Sequence, residues 1–238
     1  MNAQFPFKNK YRITQGYSDN FNNYAEGHHG AIDIVPIDDA GNFIPAMIYP
    51  IFDGSEIVVQ DTDPVHGKGI REELSLDQSW IDYYKSMNLI PADYSGTVYL
   101  QILYWHMLHV FDKDGKLTQD VPIGPAGNTG QVYHNGVAVP DDQKGLYPYL
   151  GGHTHLETVL LPATGTTFNL DKDPKGRIDP SLLFKKGQLM NQAKIVKSKS
   201  TNTVFVCYPV PSEDYLKEKC SLEGIEVPTS IPDTDSLM

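Results

Sequence analysis

The 238-residue sequence predicts a mainly β protein, and three observations carry that reading. Twenty glycines and 17 prolines stand against a charged fraction of only 21%, a mixture that suits strands joined by turns rather than a helical bundle. A 40% hydrophobic content with 11% aromatics is enough for a packed core. Runs rich in β-branched and aromatic residues recur along the chain, most clearly at 11–17, 97–107 and 153–161. The length fits one large domain, or one domain with a small appendage.

Residues 11–17 read as a strand ending in a turn at 18–20. Residues 31–35 are apolar apart from Asp33, and Pro36 limits their continuation. Residues 46–52 and 55–60 read as a hairpin about the turn at Asp53 and Gly54. The segment 61–95 reads as an insertion carrying one short helix, from the rough helical spacing of Leu74, Trp80, Ile81 and Tyr84. Strand character returns at 97–107. Asp112 to Gly115 resembles the start of a calcium loop, but the later ligands are missing and a turn is expected. The glycine-punctuated run 121–130 lacks the lysine of a phosphate loop, so it reads as a tight turn packed against another backbone. Residues 131–149 read as an irregular loop, 153–161 as a strand, and 177–184 as the close of a main domain spanning 1–190. A small strand-helix appendage is expected over 191–227: a polar linker at 194–202, a strand at 203–208, and a helix at 212–220 begun by the capping-type Ser212. Residues 228–238 are expected to be disordered. There is no internal repeat.

The net charge of −11 makes the chain a poor partner for nucleic acid, and no basic stripe offsets it. It also argues against simple adhesion to an anionic surface. Cys207 and Cys220 leave a disulfide and two free thiols equally open. No run approaches the roughly 20 apolar residues that span a bilayer. The first residues carry no apolar stretch of signal-peptide length, so action outside a cytoplasm would need another route of export.

The chemistry concentrates in two places. In Gly151-Gly152-His153-Thr154-His155-Leu156-Glu157, strand periodicity aims both imidazoles at one face, after two glycines that allow close approach. Far upstream stand His29 and Asp33. A spacing of four shares a helical face and, being even, a strand face too; the Ile residues flanking Asp33 and the following Pro36 favour strand. His29, Asp33 and His155 together offer two nitrogens and a carboxylate, a donor set that suits zinc with one position open. Zinc lowers the pKa of a water in that position to about 7 and polarises a carbonyl, and both effects serve attack on a stable amide. His153 lies close enough to accept or donate a proton. His106 is either a second such group or a half-buried strand histidine. Glu157, on the same face, either orients an imidazole or is an ordinary strand carboxylate. His28 adjoins His29, but the spacing to Asp33 favours His29. His28, His66, His109 and His134 show no partner pattern.

With these residues in place the chain resembles the lysostaphin-type (LytM-like) peptidoglycan zinc metalloendopeptidases. The resemblance covers residues 8–185 and lies in the order of the pieces: His29 to Asp33, then Tyr104-Trp105-His106-Met107, then Gly127-Asn128-Thr129-Gly130, then His153-Thr154-His155-Leu156-Glu157, with Ile178-Asp179-Pro180 at the close. It implies an antiparallel sheet flooring a groove, one zinc ion on His29, Asp33 and His155, and catalytic roles for His106 and His153 in activating water and stabilising the oxyanion. The implied substrate is a peptide bond in the stem or crossbridge of bacterial peptidoglycan, with the cell wall, the periplasm or a phage particle as the place of action. Ala31 and Met107 replace the usual Gly and Leu, both small volume changes. The long 61–95 segment and the 131–149 loop are expected to shape the groove. Rival readings are a non-catalytic relative that binds wall or activates another hydrolase, and a phage tail-associated structural component.

Overall fold

The structure, a computed structural model, describes residues 1–18, 28–111, 115–164 and 166–185, together with the backbones of three short strands beyond them. The chain divides into two compact units, Met1–Leu183 and Phe184–Met238.

The first unit is built on β1 (Tyr11–Gln15), β2 (Ile32–Pro36), β3 (Met47–Ile48), β4 (Glu56–Asp63), β5 (Gly67–Ser75), α1 (Gln78–Ser86), β6 (Val98–Met107), β7 (Gly124–Pro125), β8 (Tyr133–His134), β9 (Val137–Ala138), β10 (Thr154–Pro162) and β11 (Arg177–Ile178), with α2 (Ser181–Lys185) at its end. Seven strands form one sheet in the order β1-β2-β10-β6-β5-β4, with β11 also on β10. Every pairing in it is antiparallel.

Because strand side chains alternate, the register defines two faces. Leu156 lies opposite Tyr104, and Tyr104 opposite Ile70. These three, with Ile34 and Ile102, are no more than 2% exposed and form the core face. Each such burial is worth roughly 1.5–3 kcal/mol. Ile51 and Phe52 cover this face, and Phe52 stacks edge-on against Trp80 of α1 at 5.4 Å. That helix buries Trp80, Ile81 and Tyr84, and Asp77 caps it by accepting from the Trp80 N–H. The opposite face carries Asp33 beside His155, His155 beside Trp105, and Glu157 beside Leu103. The fold is thus the mainly β, antiparallel architecture expected.

Several local expectations are corrected. The 46–60 hairpin does not form: β3 pairs with β7 and β4 pairs with β5. The run 46–52 is continuously apolar, so it carries no alternation to fix a partner. Within the 61–95 segment the helix is confined to α1, while residues 67–75 form a strand of the main sheet. Ile70, Glu72 and Leu74 point to the core, and a carboxylate at the middle position hides the period of two. The loop 131–149 contains a small hairpin, β8 and β9, turning at Asn135 and Gly136, whose positive φ of 51° and 78° suits a type I′ turn. The tight turn at 127–130 does pack on backbone: a Cβ on Gly130 would lie 2.3 Å from the Gly67 nitrogen.

In the second unit β12 (Lys194–Ser198) lies between β13 (Val204–Cys207) and β14 (Ile225–Glu226). Residues 194–198 are therefore strand, not linker. The helix expected at 212–220, Cys220 and its pairing, the tail at 228–238, and the turns at 19–20 and 112–114 fall outside the described residues. No helix among the described residues is long and apolar enough to cross a membrane.

Candidate metal centre

Asp33 on β2 and His155 on β10 are direct cross-strand partners, so the sheet itself brings them together. His29 arrives differently from the strand parity expected: it precedes β2, and Gly30 at φ 74° turns its chain. That glycine is required on a second count, since a Cβ there would sit 2.2 Å from the Arg177 guanidinium carbon. The result is a compact triangle. His155 Nδ1 lies 3.0 Å from Asp33 Oδ1 and 3.1 Å from His29 Nε2, and His29 Nε2 lies 3.3 Å from Asp33 Oδ1. All three residues are buried.

Each imidazole at the site has its other nitrogen engaged. His29 Nδ1 faces the Gly16 carbonyl at 3.2 Å, and His155 Nε2 faces Glu157 Oε1 at 3.3 Å. His106 Nδ1 faces the Thr129 carbonyl at 2.7 Å, and His153 Nδ1 faces the Gly151 carbonyl at 2.7 Å. A carbonyl or carboxylate can only accept, so these nitrogens carry the proton and the opposite ones offer lone pairs. In that neutral state two lone pairs and the Asp33 carboxylate oxygen converge, and either a cation or a proton on His155 Nδ1 must sit among them. A tetrahedral zinc site with bonds of about 2.0–2.1 Å has ligand-to-ligand edges of about 3.3 Å, close to those observed. The cluster is therefore compatible with a metal.

The electrostatics agree. Burial opposes ionisation of Asp33, but His153, His155 and His29 outweigh it and hold the carboxyl well below its ordinary range. Burial likewise disfavours charge on His155, yet Asp33 and Glu157 raise it to about 9: without a metal, a proton occupies the space between the carboxylates. Burial, reinforced by His153 and His155, keeps His106 well below the usual imidazole value and hence neutral. His106 and His153 lie ring to ring at 4.5 Å, and His153 Nε2 reaches within 3.7 Å of Asp33 Oδ2.

Glu157, which meets His155 Nε2, is itself held. Arg177 Nη1 donates to Glu157 Oε1 at 3.2 Å, Arg177 Nε donates to Asp173 Oδ2 at 2.9 Å, and His28 Nε2 meets the same oxygen at 3.0 Å. Burial raises Glu157, but His155 and Arg177 bring it down to about 2. Two histidines without a partner pattern in the sequence thus have partners. His28 pairs with Asp173. His66 pairs with Asp63 at 2.9 Å and lies 5.6 Å from the His155 ring, so that ligand atoms of His66, His155 and Glu157 fall within 4.8 Å of one another. Arg177 already neutralises that second group, which makes it a poorer cation site than the first. The contacts of His28 with Asp173 and of Arg177 with Glu157 join segments remote in sequence, whereas Asp63 with His66 and Asp173 with Arg177 are local spacings of three and four.

No protein-family model matches the chain, and no curated protein matches it. Among solved structures the chain is similar to a zinc-containing peptidase from Vibrio cholerae, with 17% identity over 75% of this chain and 39% of that one and a TM-score of 0.43. It is similar to the SpoIIIAH–SpoIIQ complex at 16% identity, covering 76% of this chain and 98% of that one, with a TM-score of 0.40. It is also similar to the antimicrobial peptidase lysostaphin from Staphylococcus simulans at 14% identity, covering 87% of this chain and 79% of that one, again at 0.40. The chain spans 39% of the Vibrio structure. At such distances the chemistry has to be read from the side chains.

Proposed function

We propose that the chain is a zinc-dependent endopeptidase that hydrolyses peptide bonds in the stem peptides or crossbridges of bacterial peptidoglycan. The observation that carries this reading is the buried triangle of His29 Nε2, Asp33 Oδ1 and His155 Nδ1, with edges of 3.0–3.3 Å and two further imidazoles beside it. The ordered motifs that resemble the lysostaphin-type peptidases supply the substrate class.

His29, Asp33 and His155 would hold one zinc ion, which when bound supplies Lewis-acid polarisation of a carbonyl and an acidified water. Amide hydrolysis also needs a proton removed from water and one delivered to the departing amine. His106, kept neutral by burial, suits the first task. His153, close to Asp33 and to His106, suits the second and can donate to an oxyanion. Glu157 and Arg177 keep His155 in one tautomer and orientation.

Bound zinc and cleavage of purified peptidoglycan, measured on the parent, His155→Ala and His106→Ala, test this. His155→Ala should lose the metal. His106→Ala should keep it while cleavage falls by about 10²–10⁴-fold. A parent free of zinc, or equal cleavage by all three, rejects the reading; zinc without cleavage favours a wall-binding, non-catalytic module.

A further inference from the structure

The polar face of the sheet continues beyond the metal centre, and besides Arg177 Nη2, next to Glu157, two nitrogen donors on it are left over. Arg71 on β5 lies opposite Leu103 of β6, one two-residue step along the strands from Trp105, which itself stands opposite His155. Arg71 Nε and Trp105 Nε1 are both buried without a hydrogen-bond partner. Trp105 is only 6% exposed; a Cβ on Gly69 would sit 2.1 Å from its ring, so the indole lies flat on the β5 backbone two residues from Arg71. The carboxylates that share this face are already engaged: Glu157 accepts from Arg177, and Glu73 accepts from Gln101 at 2.8 Å. A buried, unpartnered guanidinium Nε beside apolar Leu103, in a chain of net charge −11, is an expensive arrangement unless an anion completes it.

Strand geometry places this pair relative to the triangle. Two strand spacings of about 4.8 Å and one two-residue step of about 6.7 Å put the Cα of Arg71 about 12 Å from that of His155. That is the length of three to four residues of extended peptide, at about 3.3 Å each. A planar guanidinium fork matches a carboxylate two bonds at a time, and the indole adds a donor that no water-exposed lysine would supply.

We propose that Arg71 and Trp105 form a carboxylate-binding subsite on the polar face of the sheet, which holds an acidic group of the peptide substrate about three to four residues from the scissile bond. This rests on the peptidase reading and sets which peptides are preferred.

The test uses the full chain loaded with zinc, and peptides released from peptidoglycan with their carboxylates either free or converted to amides. Dissociation constants are measured by calorimetry for the parent, Arg71→Gln, Arg71→Lys and Trp105→Phe, with zinc content and peptide cleavage recorded in parallel. The parent should bind the free-carboxylate peptides about 10- to 100-fold more tightly than the amidated ones. In Arg71→Gln that ratio should fall towards one. Arg71→Lys, which keeps the charge without the fork, should give an intermediate ratio and serves as the second variant if Arg71→Gln melts early. Trp105→Phe should lower the ratio less. An equal affinity for both peptides in the parent, or an undiminished ratio in both Arg71 variants, overturns the subsite. A parent without zinc or cleavage rejects the peptidase reading, while the ratio still reports on Arg71; zinc-dependent cleavage without an Arg71-dependent ratio rejects the subsite alone.

Discussion

His106 adopts φ +62°, a conformation uncommon outside glycine. Its cause is a problem of parity. Along β6 the even residues Tyr104 and Ile102 face the core and the odd residues Trp105 and Leu103 face the site. As an even residue, His106 would enter the core. The left-handed twist turns it to the other side, where its ring meets His153, and its N–H leaves the ladder to donate to the His66 carbonyl at 2.9 Å. His106→Asn and His106→Val both delete the imidazole but differ in tolerance of positive φ. The Val variant should be less stable than the Asn variant by about 1–3 kcal/mol in urea unfolding of the metal-free protein. Equal stabilities would mean that the backbone there is relaxed. That His155 and Glu157 share a face was readable because alternation within a strand is local; that Asp33 lies opposite His155 was not, because it depends on the pairing of two strands. The inversion at His106, the Gly30 turn under His29, and the Asp173–Arg177–Glu157 chain were not, because each depends on a neighbour from another element.

At the scale of elements, the site's rigidity lies in one turn and one loop. Asn128, fully buried in the 127–130 turn, donates to the carbonyls of Tyr147 and Leu150 at 3.0 Å and accepts from the Gly145 N–H at 2.8 Å. Thr129 in the same turn receives the His106 Nδ1–H through its carbonyl. The loop that Asn128 ties down leads directly into Gly151 and His153. Asn128→Ala should destabilise the protein by about 1–3 kcal/mol, because three part-buried backbone groups lose the partner that a fully buried side chain gives them. Chemical denaturation gives the magnitude, and a value near zero would show that the loop holds itself. A tight turn packed on backbone was legible from its glycines, whereas the asparagine's grip on residues 145–150 was not. The hairpin at 133–138 had its signal in Asn135-Gly136, hidden by the short strands around it. The 46–60 hairpin had a turn signal but no matching strand alternation, and the chain used the turn for something else.

The first unit is built on a sheet with an apolar face and a polar face, and Glu72 is a carboxylate buried on the apolar side. It is fully buried, accepting from Tyr104 Oη at 2.8 Å and Ser55 Oγ at 3.0 Å. Burial, only partly offset by these bonds, raises its pKa to about 7. The folded state therefore keeps a proton that the unfolded chain releases near pH 4.5, so this group's contribution is complete below 4.5 and is lost as pH rises through 7. Over that window the parent should lose about 3 kcal/mol of unfolding free energy relative to Glu72→Gln. Parallel stability curves for the two proteins between pH 4.5 and 7.5 would contradict it. The mainly β architecture was visible in composition and strand runs; the placement of a carboxylate in the core was not, since its local sequence looks solvated. The two faces also share one ledger of length. Residues 98–105 alternate between the core face and the site face, so inserting or deleting a single residue there would exchange hydrophobic packing and reactive groups wholesale. The chain can drift by substitution along this strand, but it cannot drift by size.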